Sequence, residues 1–143
     1  MRIDAVTPEF VNRVPDEKRD GVLYISISFA TAIHRCCCGC GNLVVTPFSP
    51  ADWRMIFDGE TVSLDPSIGN WSFPCQSHYW IRENKVRWAP RWSATQIKSG
   101  RARDRLAFER HMKAMEKGAT GATLELPDQR QGLWKRIRGW WSR

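Results

Sequence analysis

Seven potential metal ligands sit in two short patches of this chain, and they constrain its fold more than any other feature. The first patch is His34-Arg35-Cys36-Cys37-Cys38-Gly39-Cys40-Gly41 and the second is Pro74-Cys75-Gln76-Ser77-His78. They hold all five cysteines and two of the three histidines. Thiolate and imidazole are the ligands zinc prefers, four in a closed structural site or three plus water in a catalytic one. A metal joining the patches must bring two distant loops together. Neighbouring cysteines bridge poorly and the cysteine number is odd, so a disulfide framework is not expected. A zinc site in a reducing, cytoplasmic setting is.

Apolar alternation between the patches predicts a mainly β (α+β) fold: a small zinc-stabilised antiparallel sheet domain with a C-terminal helical extension. Residues 8–14 read as a short strand and 15–21 as a polar loop. Leu23, Ile25, Ile27 and Phe29 alternate with Tyr24, Ser26 and Ser28, the period-2 mark of a half-buried strand. If the chain stays extended beyond it, His34, Cys36 and Cys38 share a face and Cys37 points away. Gly39 and Gly41 permit the turn of a metal knuckle. Residues 43–45 resume a strand, Ser49 to Trp53 read as a helical start, and Asp58-Gly59 and Glu83-Asn84 mark two hairpins. Residues 65–70 read as a loop. Six or seven strands are expected in all.

The 143 residues divide by charge as well as by pattern. Residues 1–92 carry ten basic and ten acidic side chains, and 93–143 carry twelve and five. The expected organisation is therefore a zinc-binding β domain over 1–92 and a basic helical extension over 93–143. Arg101 to Lys117 reads as a partly amphipathic helix that stops at Gly118, followed by a linker to 132. In 133–143, Leu133, Trp134, Ile137, Trp140 and Trp141 fall at helical spacing opposite basic residues. That tail can fold back on the β domain, dock on a partner, lie on an anionic membrane surface or bind nucleic acid. Met1-Arg2-Ile3-Asp4 carries no apolar run and no stretch is long enough to span a bilayer, so neither signal peptide nor spanning helix is expected.

Three of the candidate ligands His34, Cys36, Cys38, Cys40, Cys75 and His78 plus water would make a catalytic zinc. Alternatively, Cys36, Cys38, Cys40 and Cys75 close a four-sulfur structural site. His34 and His78 are then free to act as base partners for Ser67 or Ser77. Ser67 and Asn70 are candidate oxyanion or backbone donors, and Glu60 and Asp65 candidate general bases. The His-Glu-x-x-His of helix-borne zinc peptidases is missing, and Cys36 stands where a zinc deaminase needs glutamate, so neither class fits. Trp71, Tyr79, Trp80, Trp88 and Trp92 can line a groove for an extended peptide.

Several segments together resemble the domain-of-unknown-function family numbered 6527. They are residues 21–26, the first cysteine patch, Trp53, Thr61 to Leu64, Pro66-Ser67-Ile68-Gly69-Asn70, and Cys75 to Ile81. The resemblance covers roughly residues 8–92. It implies an accessory protein of a bacterial ubiquitination-like operon, with activating-enzyme-like, conjugating-enzyme-like and ubiquitin-like partners. The activity implied is a zinc peptidase that processes or deconjugates the ubiquitin-like protein in antiphage defence. A non-enzymatic zinc adaptor and a nucleic-acid-binding zinc module are the alternatives, the first favoured by a closed four-sulfur site.

Overall fold

The computed structural model describes residues 1–121. Two four-stranded sheets precede one long helix. The first sheet has the order β1 (Thr7–Phe10), β2 (Val22–Ser26), β3 (Thr31–Arg35), β4 (Leu43–Pro47). The second has the order β5 (Arg54–Phe57), β6 (Val62–Gly69), β7 (His78–Arg82), β8 (Lys85–Trp88). All neighbours are antiparallel except β1 and β2, which are parallel. The helix α1 runs Ala94–Gly121. By its contacts the chain forms two compact units, Met1–His111 and the residues from Met112 onward.

One core holds both sheets. Leu23, Ile25, Ala32 and Val44 from the first pack with Val62, Leu64, Ile68 and Ile81 from the second. Each such side chain contributes roughly 1.5–3 kcal/mol by leaving water. The N-terminal segment ties the sheets together. Ala5 bridges Lys85 at the edge of β8, and the chain then enters the first sheet as β1.

The sequence pattern misses in three places. The run from 22 to 33 is a hairpin: β2 stops at Ser26, Ala30 takes a positive φ of 45°, and β3 returns. Ile27 and Phe29 lie in that turn, 62% and 69% exposed. β2 is buried throughout, so alternation there reports no exposed face. Ser49 to Trp53 forms turns, with Ser49 Oγ bonded to Asp52 rather than opening a helix. Residues 65–69, read as a loop, complete β6. Pro66 is tolerated there because the ladder to β7 shifts register between Leu64 and Ile68 and β5 pairs no further than Asp65. The Asp65–Pro66 peptide is cis.

The helix starts earlier and ends later than its apolar spacing indicates. Ser93 and Gln96 form a reciprocal cap: Gln96 N–H donates to Ser93 Oγ (3.3 Å) and Ser93 N–H donates to Gln96 Oε1 (2.8 Å). Gly118 lies inside the helix, which runs to Gly121. No described helix is long and apolar enough to cross a membrane. Most of the expected 118–132 linker and all of the Trp-rich 133–143 tail lie outside the described residues.

Candidate active site and metal centre

The turn after β3 builds the first half of the metal centre. Gly39 and Gly41 take φ of 85° and 81°, which L side chains resist, and Gly39 N–H closes the turn on Cys36 C=O (3.0 Å). Extended chain ends at Arg35, so Cys36 and Cys38 converge through this turn and not by sharing a strand face. Cys75 arrives from the 70–77 loop. Its Sγ lies 4.0 Å from Cys36 and 3.7 Å from Cys40, and Cys36 lies 3.4 Å from Cys38. All four sulfurs fall within 4.8 Å of one another.

These spacings test whether a metal fits. Four ligands at about 2.3 Å from a tetrahedral zinc stand about 3.8 Å apart. The cluster matches that edge, so the four cysteines can hold a metal ion and suggest a zinc site. Burial raises the Cys36 and Cys38 thiol pKa values. At Cys40 desolvation also acts upward, but donors, above all the Asn42 backbone N–H, outweigh it and bring the thiol to about 7. Ser77 Oγ lies 3.0 Å from Cys36 Sγ, and Asn70 Nδ2 donates toward the same sulfur at 3.6 Å. A metal held by these four cysteines would displace their thiol protons, and these donors would then bond to its thiolates.

Of the six candidates, the structure brings together the four cysteines, the arrangement that leaves His34 and His78 free, and neither histidine joins the cluster. His34, 1% exposed, bonds through Nε2 to Tyr79 Oη (2.9 Å), and burial lowers its pKa to about 4. Cys37 lies in the turn after β3, not in extended chain, and is buried away from the cluster, with its thiol pushed up to about 12 by burial.

His78 instead meets Ser67. Both side chains stand on the face of the second sheet opposite the core. Ile68 pairs with Tyr79 and Gly69 with His78, so Ser67 and His78 are diagonal neighbours across the ladder. His78 Nε2 and Ser67 Oγ are 2.9 Å apart. Burial lowers the His78 pKa, and the Pro90 carbonyl acts in the raising direction. His78 Nδ1 has no hydrogen bond of good geometry, so that carbonyl is a neighbour rather than a bonded acceptor. No carboxylate completes a triad among the described residues.

Tryptophans fix the imidazole instead. Trp71 and Trp92 stack on each other at 5.0 Å and each meets His78 edge-on at 4.9 Å, while Trp80 lies 5.5 Å away. Gly69, directly opposite His78, leaves room for Trp71: a Cβ there would meet the indole at 2.4 Å. Gly100 on α1 likewise admits Trp92, whose ring would meet a Cβ at 2.7 Å. The other aromatic candidates divide differently. Tyr79 is fully buried, and Trp88 packs against it at 5.2 Å. A hollow of about 480 Å³ opens over Ser67 and His78, walled by Trp53, Trp71 and Trp92 and closed by α1 at Gly100 to Phe108.

The remaining candidates lie elsewhere. Asn70 is buried and its amide serves Cys36, Ser77 and Tyr79, so it braces the metal loop and does not face the hollow as an oxyanion donor. Glu60 is exposed in the turn before β6, at the opposite end of that strand from Ser67. Asp65 is paired with Arg82 (2.7 Å) and Arg54 (3.4 Å). The Pro90 carbonyl and the small residues under the tryptophans were not foreseen, because neither a main-chain oxygen nor a missing side chain leaves a motif.

No curated protein and no solved structure matches this chain. The family profile that matches spans residues 10–89, more than half of the sequence, and takes in both patches and the Ser67–His78 pair. The chain belongs to that family, BubE, the bacterial ubiquitination-like system serine proteases.

Proposed function

We propose that this protein is a serine protease in which Ser67 is the nucleophile and His78 the general base, with the four-cysteine metal as a structural tie. The observation that carries this is the 2.9 Å Ser67 Oγ–His78 Nε2 contact beneath an open hollow. The family description favours serine chemistry and lends no support to the zinc-peptidase activity implied by the resemblance. Four thiolates saturate a tetrahedral metal and leave no position for an activated water. Such a closed site is what a zinc adaptor would carry, but an adaptor has no use for a serine–histidine pair under a cleft.

The lowered pKa keeps His78 neutral near pH 7, the state a base requires. The Ser67 oxygen attacks a substrate carbonyl carbon while its proton passes to His78 Nε2. That proton then goes to the departing amine as the C–N bond breaks, leaving an acyl-serine, and water repeats the sequence to release the acid. Edge-on indoles hold the imidazole plane, which is the orienting share of what an aspartate does in a full triad. A metal held by Cys36, Cys38, Cys40 and Cys75 would brace the 70–77 loop, and with it the start of β7 that bears His78. Zinc is the ion the sulfur set and spacing favour.

The substrate we propose is the ubiquitin-like protein of the operon, cut at or near its C-terminus, with the activating- and conjugating-enzyme-like proteins as pathway partners. Cleavage of that precursor by wild type, Ser67→Ala and His78→Ala, with fluorophosphonate labelling of each, tests the assignment. We expect cleavage and labelling in wild type alone, with all three folded. Labelling of Ser67→Ala, or full cleavage by it, would overturn it.

A further inference from the structure

The strand that carries Ser67 is half open. On one side β6 remains paired to the end: Ile68 opposes Tyr79, Gly69 opposes His78, and Asn70 N–H donates to Ser77 C=O (2.9 Å). On the other side its partner β5 reaches only to the Arg54–Asp65 pair. The chain before Arg54 turns away from β6. Trp53 N–H donates to Pro47 C=O (3.1 Å) and Trp53 bridges Phe48. Residues 66–69 therefore have no strand on that side among the described residues. Backbone groups of an antiparallel strand point alternately to its two neighbours. With Asn70 bonded toward β7, alternation turns the N–H and C=O of Ser67 and Gly69 toward the open side.

Two hollows flank that stretch of β6. A second hollow of about 740 Å³, beside Met55 and Asp65, shares the walls Asp52, Trp53 and Pro66 with the hollow over Ser67. Space thus extends along the strand on both sides of the nucleophile. Such an edge offers donors and acceptors at a strand's repeat, which an extended polypeptide matches.

We infer that the substrate docks as an added strand, antiparallel to β6 and in line with β5, bonded to the backbone of Ser67 and Gly69. This rests on the Ser67–His78 assignment and deepens it. Peptide planes of an added strand lie in the sheet, and Ser67 Oγ stands off its face, the direction from which a carbonyl carbon is attacked. The carbonyl accepting from Ser67 N–H is the one beside Oγ, so the bond that docks the strand also polarises the bond that is cut. Recognition is then mainly of an extended, unfolded backbone, which suits a flexible terminal tail.

The test is a series of peptides spanning the C-terminal tail and cleaved bond of the ubiquitin-like precursor, each with one N-methylated amide. Cleavage by wild type and binding to Ser67→Ala are measured for each. We expect alternate positions to lose about tenfold in kcat/KM and in affinity, one hydrogen bond's worth, with positions between them little changed. A uniform response along the peptide, or none, would overturn strand docking. So would an unmodified peptide that is neither cut nor bound. Failure of the serine assignment shows separately, as equal fluorophosphonate labelling of wild type and Ser67→Ala.

Discussion

Gly69→Ala is a one-carbon test of how this site is held. Gly69 has no positive φ, so alanine fits its backbone and only the side chain matters. The added Cβ would meet Trp71 Cε2 and Nε1 at 2.4 Å and Cζ2 at 2.7 Å. Ordinary contact begins near 3.5 Å, so the indole must recede by about 1 Å. Trp71 stacks on Trp92 and packs on His78, so the imidazole loses one wall. Overpacking of this kind costs about 1–3 kcal/mol, a fall in Tm of roughly 5–15 °C for a unit this size. Misplacing a catalytic group by 1 Å costs about 100-fold in rate, so kcat should fall far more than KM rises. Steady-state cleavage and a thermal melt read both effects. The cause is isolated by repeating the substitution in a Trp71→Ala background, where the clash is gone and alanine at 69 should cost little more. Wild-type kcat and Tm in Gly69→Ala, or the same loss in both backgrounds, would refute the packing argument.

Three further outcomes follow from the geometry. Because burial lowers the His78 pKa, the acid limb of kcat/KM should follow a single ionisation with its midpoint below the ordinary imidazole value of 6.5; a midpoint above 6.5 would contradict this. Purified protein should contain about one tetrahedral metal per chain. Cys38→Ser should lose that metal and destabilise the fold, read by elemental analysis and urea titration, whereas an activity metal would leave stability unchanged. Tyr79→Phe leaves buried His34 Nε2 without its hydroxyl partner and should cost about 1–3 kcal/mol in chemical denaturation; no loss would mean the bond contributes nothing.

Local chemistry is legible along the chain wherever it depends on neighbours in sequence. Alternation and turn residues locate the 54–64 and 78–88 hairpins, because a strand's faces and a hairpin's turn are decided within a few residues. The spacing of Cys36, Cys38, Cys40 and Cys75 announces a metal centre, since few other arrangements need so many thiols so close. The same rules misplace the run from 22 to 33. Burial of β2 on both faces erases the contrast that alternation measures, and a turn with a positive φ at an alanine carries no glycine to mark it.

The division of labour among the ligand candidates was beyond the sequence. Four sulfurs and two imidazoles are chemically eligible for zinc, and no spacing rule says which of them the sheets bring together. Sheet pairing decides it. The Gly69–His78 register sets His78 beside Ser67, and the 2.9 Å bond to Tyr79 turns His34 into the core. A shift of one residue in that pairing would send His78 to the opposite face, because strand side chains alternate. Sequence alone thus determined that this chain carries a thiol-rich set of candidate metal ligands in a β fold with a helical extension. Tertiary structure decided that four cysteines converge where they can hold a metal ion while Ser67 and His78 meet under the hollow, since each contact depends on a register set by packing along the strands.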